Sequence, residues 1–193
     1  GVAVIPALEV LETGPLVLIE DEGRPGHASV GVGHSGAADR SAHRLGARLV
    51  GNDEHLASLE VLLGGLRVRA RGRLTVALTG APAPARVDDR PIGHASLVDL
   101  AHGSVLTLGM PAAGLRTYLT VRGGIDVAPV LGSRSADTLS GVGPPPVRAG
   151  DVLPVGPAGA TFPHVDQAAH PSHAVPWGSG DTGVAELEVL PGP

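Results

Sequence analysis

The stretch LRVRA at 66–70 alternates apolar and charged residues, the period of two that a strand with one buried and one wet face requires. Residues 74–78, 104–108 and 115–121 are further short apolar runs, each bounded by Gly or Pro, and they predict strands. VDDRP at 87–91 reads as a turn between two of them. One segment keeps another period: in DRSAHRLGARLVGND, Ala42, Leu45, Leu49 and Val50 recur at helical spacing. Asp39 is placed to cap that helix, and Gly51 to end it in a left-handed conformation. Its Arg40, Arg44 and Arg48 form a stripe with two readings, a solvated face or a partner-binding face. Many short strands, frequent turns and one helix predict a mainly β domain, barrel or sandwich.

From about residue 157 to 185 the periodicity stops, and Pro, Gly, Ala and Ser dominate. This predicts a linker. His164, His170 and His173 lie in it without a carboxylate cluster or a helical frame, so linker is preferred to metal site. ELEVLPGP at 186–193 then echoes LEVLETGP at 8–15. The expected organisation is one domain over 1–156, a linker over 157–185, and the first strand of a second subdomain over 186–193.

Composition narrows the function. Aromatic residues make up only 2% of the 193 positions, so the core must be built from Val, Leu, Ile and Ala. No apolar run reaches the roughly 20 residues of a membrane helix, and no signal peptide is visible. Without cysteine there is no disulfide, thiolate catalysis or Cys-ligated metal, which fits a cytoplasmic location. All 14 basic residues are Arg, which excludes a Walker-A, Schiff-base or biotinylated lysine on this chain. A net charge of −5 argues against a nucleic-acid partner.

Two stretches are rich in Gly, Ser and Asp, a mixture that buried strands do not need. In GRPGHASVGVGHSGAAD at 23–39, glycines allow backbone to approach a ligand closely, and His34 and Ser35 sit just ahead of the helix start. In VRGGIDVAPVLGSRSADT at 121–138, Gly123 and Gly124 turn the chain and leave Asp126 available as a general base. Ser133, Arg134, Ser135 and Asp137 follow, and Arg134 is a planar partner for a carboxylate or phosphate. Each stretch can equally be a loop whose polar side chains tie down its own backbone. No G-x-S-x-G elbow, H-E-x-x-H or Walker loop is present.

These loops, with VALTGAPAPARVDDRPI, YLTVRGGIDVAPVLGSRSADT and RAGDVLPVG in the same order, resemble the family of the 5-oxoprolinase C-subunit, also called allophanate hydrolase subunit 2. The likeness extends to the second half of the urea carboxylase carboxyltransferase domain. It implies a cyclophilin-like β-barrel with one main helix, the first of two tandem subdomains. It implies a B-type partner protein (allophanate hydrolase subunit 1) and possibly an A-type one. With them the family opens 5-oxoproline to glutamate using ATP, so the chain is expected to be one component of a hydrolase acting on cyclic amide C–N bonds. Two alternatives follow: a carboxyltransferase acting on urea or a related amide, with biotin on a partner chain, and a non-catalytic regulator of the B-type protein.

Carried over by position, the signature loops fall on Arg24, Gly26, His34, Ser35, Gly36 and Asp39, then on Asn52 and Glu60. The last block supplies Gly123, Gly124, Asp126, Ser133, Ser135 and Asp137. Asp126, Asp137 and His34 are the catalytic candidates; Arg24, Ser35, Gly36, Asp39, Asn52, Glu60, Gly123, Gly124, Ser133, Arg134 and Ser135 are the substrate-binding ones. No metal is expected. One departure stands out, Ile19-Glu20-Asp21 where the family usually reads Val-Gln-Asp; a Gln side chain donates and accepts, whereas an ionised Glu20 only accepts.

Overall fold

Eleven strands and one α-helix form the fold in a computed structural model that describes residues 4–160 together with Phe162 and Ala168. The strands are β1 (Ala7–Thr13), β2 (Leu16–Glu20), β3 (Ser58–Leu62), β4 (Leu66–Arg71), β5 (Leu74–Gly80) and β6 (Ala85–Val87). After them come β7 (Arg90–Pro91), β8 (Leu97–Leu100), β9 (Val105–Leu108), β10 (Arg116–Val121) and β11 (Val152–Pro154), with helix α1 (Arg40–Val50) between β2 and β3. All strand pairs are antiparallel. One sheet runs β11-β1-β4-β9-β6-β7 and the other β2-β3-β10-β5-β8. The mainly β architecture with one helix is therefore as expected, but these are two open sheets and not a barrel closed by hydrogen bonds. In the first sheet the outer strands explain the open edges: β7 and β11 each contain a proline, which has no N–H to extend a ladder.

The core lies between the sheets. Leu8, Val10, Leu66, Val68, Leu106 and Leu108 of the first sheet meet Val17, Ile19, Leu59, Val61, Val76, Leu78, Leu119 and Val121 of the second. It is aliphatic, as the scarcity of aromatics required. On β4, Leu66, Val68 and Ala70 point inward while Arg67 and Arg71 reach Glu12 and Glu9 on the neighbouring strand, at 2.5 and 3.3 Å. The 87–91 turn joins β6 to β7 with Asp88 and Asp89 both at positive φ, the conformation of a tight hairpin.

Helix α1 covers the other face of the second sheet, packing on β5 and β10. Asp39 caps it by accepting from the Ala42 N–H at 3.0 Å, and Gly51 closes it at φ 69°. Gly46, in mid-helix, is explained by contact: a Cβ there would lie 2.3 Å from Thr120 Oγ1 and 3.2 Å from Thr79 Oγ1. Glycine inside a helix ordinarily costs about 0.5–1 kcal/mol, so close seating outweighs propensity here. Gly46→Val is expected to lift the helix and destabilise the domain by about 1–3 kcal/mol, read from the urea midpoint. The arginine stripe is largely neutralised: Arg44 pairs with Glu22 at 2.6 Å and Arg48 with Glu54 at 3.0 Å.

Beyond β11 the chain stays on the domain at its described points. Arg122 donates to the Gly159 carbonyl at 2.6 Å and stacks over the Phe162 ring at 4.0 Å. The Ala168 N–H bonds the Ala95 carbonyl at 2.9 Å beside Leu49 and Val50. At these described points, Gly159, Phe162 and Ala168 of the expected linker touch the domain near the end of α1. His164, His170, His173 and the expected strand at 186–193 lie outside the described residues. Among the described residues, no helix is long and apolar enough to cross a membrane, and no group of acidic residues and histidines is placed to hold a metal ion.

Candidate functional site

The free edge of β2 is covered by a loop instead of a strand. The Ala136 N–H bonds the Ile19 carbonyl and the Val147 N–H bonds the Val17 carbonyl, both at 2.9 Å. This lays residues 133–147 against the end of β2 and the start of the first glycine loop, so the two polar stretches, about a hundred residues apart in sequence, become neighbours.

Asp21 is the junction. It is buried, and its Oδ1 accepts from Ser133 Oγ at 2.6 Å, Ser135 Oγ at 2.7 Å and the Gly23 N–H at 2.8 Å. Its Oδ2 accepts from the Arg134 N–H at 2.6 Å. Burial alone would push this carboxyl up, but the hydroxyls of Ser133 and Ser135 and the N–H groups of Arg134 and Gly23 together hold it below the ordinary value. Asp21 is not among the candidates that the sequence supplies. Its signal, an acidic residue ending an apolar strand, is also that of a solvent-facing loop.

Arg24 is the cationic counterpart, only 1% exposed. Its Nη1 donates to Ser35 Oγ at 2.9 Å, its Nε to the Val130 carbonyl at 3.3 Å, and its Nη2 to the Ser135 carbonyl. The guanidinium therefore ties the first glycine loop to the second at two points, Val130 and Ser135, and holds Ser35 within its own loop. Ser35, itself at positive φ, donates its hydroxyl proton to Asp137 Oδ2 at 3.1 Å. Asp137 Oδ1 receives the Leu139 and Ser140 N–H groups at 3.0 and 3.1 Å. The Ser140 N–H and hydroxyl, the Leu139 N–H and the Ser35 hydroxyl lower its pKa to about 2, so Asp137 is a fixed anion across the neutral range. Beside it opens a cavity of about 310 Å³ lined by Ala136, Asp137, Thr138, Gly141, Gly143 and Pro144–Pro146. Gly143 is required in its wall: a Cβ there would lie 2.1 Å from the Ser135 carbonyl oxygen and 3.0 Å from Arg24 Nη2.

The remaining candidates fall into four places. His34 is exposed, and its carbonyl accepts from the Arg24 N–H at 2.7 Å; Gly36, at φ 92°, lies against Glu22. Arg134 reaches the half-exposed Asp126 at 3.1 Å and the Val127 carbonyl at 2.8 Å, on the chain leading into the 133–137 loop. Asn52 braces the glycine turn, donating to the Val121 carbonyl and accepting from the Gly123 N–H, each at 2.8 Å. Gly123 and Gly124 serve that turn; a Cβ on Gly123 would meet the Gly156 carbonyl at 2.1 Å. Glu60 and Asp39 belong to a further cluster under the helix start. Tyr118 donates to Glu60 Oε2 at 2.7 Å and accepts from the Asp39 N–H at 2.8 Å, while Arg116 holds Glu60 Oε1 at 2.8 Å. Burial, then the Glu60 charge, push the Tyr118 phenol up, so it stays a donor. The structure thus unites Arg24, Ser35, Ser133, Arg134, Ser135 and Asp137. It sets Asn52, Gly123 and Gly124 aside as one brace, and Asp39 and Glu60 as another.

The cavity does not fit ATP. Its wall carries the Asp137 anion, and the nearby Arg24 guanidinium is committed to two carbonyls and a hydroxyl, which leaves no cation in the lining for a triphosphate.

Two antiparallel sheets, one capped by a helix and edged by paired polar loops, are the frame of a carboxyltransferase domain. The family model "carboxyltransferase domain, subdomain A and B" matches residues 30–193, and the chain belongs to that family, which includes the C-subunit of 5-oxoprolinase. The chain is 41% identical over 152 residues to the 5-oxoprolinase C-subunit of Escherichia coli K12, covering 77% of this chain and 49% of that protein. It is 38% identical over 138 residues to urea amidolyase of Saccharomyces cerevisiae, covering 71% of this chain and 8% of the relative. The crystal structure of K. lactis urea amidolyase superposes with a TM-score of 0.79 at 30% identity, over 90% of this chain and 11% of that one. The chain thus spans about half the length of the 5-oxoprolinase component it matches.

Proposed function

We propose that this chain is part of one component of an ATP-dependent amide hydrolase complex of the 5-oxoprolinase type. In this reading it opens 5-oxoproline to glutamate in the cytoplasm, together with B-type and A-type partner proteins. The observation that carries it is the 41% identity to the 5-oxoprolinase C-subunit over 77% of the chain. The site chemistry agrees with it. A cavity of about 310 Å³ is at the small end of ligand sites and suits a compact cyclic amide. Asp137 is too strong an anion to carry a proton and serves to aim Ser35. The acid–base role passes to Asp126, whose carboxylate is half exposed and steadied by Arg134. His34 and Arg134 anchor the substrate oxygen, while Ser35, whose proton goes to Asp137, keeps one lone pair to accept from the amide N–H. Nucleotide chemistry belongs to a partner chain.

Asp126→Asn is expected to lower ATP-dependent turnover of 5-oxoproline by the complete complex by about 10²–10⁴-fold, the usual worth of a general acid or base. Full turnover with partner binding unchanged would remove Asp126 from the mechanism. A second reading, transfer of a carboxyl group from biotin on a partner to urea or a related amide, is supported by the urea amidolyase relatives. Urea-dependent consumption of carboxybiotin in the same assembly, with no 5-oxoproline turnover, would select it. Binding to the B-type protein with neither activity would select a regulatory role.

A further inference from the structure

Glu20 is the last residue of β2, opposite Ser58 of β3. Val17 and Ile19 point into the core, so by strand alternation Glu20 points the other way, toward the layer beneath α1. It is 3% exposed, and its Oε2 is buried without a hydrogen-bond partner. A carboxylate in that position would carry an unsatisfied charge.

The donors around it are already committed. Arg24 gives its nitrogens to Ser35, Val130 and Ser135. From α1, His43 meets the Ser58 hydroxyl and the Glu54 carbonyl; from β10, Tyr118 gives its proton to Glu60. Ser135 stands within hydrogen-bonding reach of Glu20, but its single proton goes to Asp21 Oδ1 at 2.7 Å. Ser135 Oγ also accepts from the Asp21 N–H at 2.9 Å, which leaves one lone pair open. The Asp21 and Glu60 carboxylates both bear on Glu20 and oppose a further negative charge.

We propose that Glu20 keeps a proton in the folded protein at neutral pH and donates it from Oε1, the oxygen other than the unpartnered Oε2, to the open lone pair of Ser135 Oγ. A line of donors then runs from Glu20 through Ser135 to Asp21. Glu20 is a positioning residue: it fixes the Ser135 hydroxyl, and with it the loop carrying Ser133, Arg134 and Asp137. The inference concerns the candidate site but stands apart from the assigned reaction, because its test needs no substrate. A Ser135 proton turned toward Glu20 would oppose the rise, yet burial, the largest cause, with the Glu60 and Asp21 charges still raises Glu20 from 4.5 to about 8.

The sign of the linkage is opposite to that of a salt-bridged acid. Between pH 4.5 and about 8 the folded chain holds a proton that the unfolded chain has lost, so Glu20 makes stability fall as pH rises through that window. In protein with carbon-13 at the Glu carboxyls, the resonance that disappears in Glu20→Gln should titrate near pH 8. The melting temperature of Glu20→Gln should rise relative to the parent across the window and then run parallel above it. Glutamine keeps a donor for Ser135, so the Ser135 N–H should exchange slowly in Glu20→Gln and faster in Glu20→Ala. Titration near 4.5, or a melting-temperature difference independent of pH, would overturn the proposal. Because both readouts use the glutamine variant, they decide the matter even if the alanine variant does not fold.

Discussion

Asp21→Ala is expected to lower the melting temperature by about 10 °C, the largest stability effect of any single change in the site. Four donors converge on this buried carboxylate, and two are serine hydroxyls more than 110 residues away in sequence. Truncation leaves those donors facing a cavity, and losing a buried charged partner of this kind costs about 3–5 kcal/mol. A domain of this size loses about 2–4 °C per kcal/mol. Asp21→Asn separates charge from shape, because the amide occupies the same volume but accepts at only one of its two positions. It should fall between the parent and the alanine variant. Since folding lowers the Asp21 pKa, its contribution is complete above its ordinary value of 3.8 and is lost as pH falls through the lower folded value. Thermal unfolding followed by circular dichroism from neutral pH downward should therefore show the parent and the alanine variant converging in acid. Parallel curves at every pH would mean that packing, and not the ionised carboxylate, holds the loop.

Arg24→Met is expected to cost about 3 kcal/mol and to release Ser35 from its fixed position. The guanidinium is 1% exposed and holds two carbonyls and a hydroxyl, and truncation leaves all three short of a donor. Arg24→Lys should rescue little, because an ammonium is a single point and the three acceptors are arranged for a planar fork. The urea midpoint gives the stability loss, and faster exchange at the Ser35 and Ser135 N–H groups locates it. A lysine variant with parental stability would show that charge alone, without the fork, is what the site needs. The two predictions are coupled, since Arg24 and Asp21 both act on Ser135, and the double variant should lose less than the sum of the singles.

Much of this architecture was legible along the chain. The alternation in LRVRA became β4 with its outer row of arginines, the helix begins at Asp39 and ends at Gly51, and the DDR turn became a hairpin at positive φ. Each depends on residues within a few positions of one another, where side-chain periodicity and backbone preference act directly. The glycine loops were recognisable for the same reason, because local composition marks tight turns. The arginine stripe was legible as a pattern but not in meaning: Glu22 comes from the loop before α1 and Glu54 from the loop after it, and only folding brings them onto Arg44 and Arg48.

The site itself depends on partners far apart in sequence. Asp21 and Tyr118 look ordinary where they stand, and Glu20 stands out only against the Gln usual in the family; nothing near them reveals that Ser133 and Ser135, Ser58 and Glu60 will be their neighbours. What the sequence by itself determined was the alphabet of elements and the residues capable of chemistry. Tertiary structure decided which loops meet, which carboxylates are buried, and therefore which are forced to stay ionised and which to keep a proton. The physical reason is that hydrogen-bond satisfaction and desolvation are set by the whole surroundings of a group, and those surroundings exist only once the loop at 133–147 closes over the edge of β2.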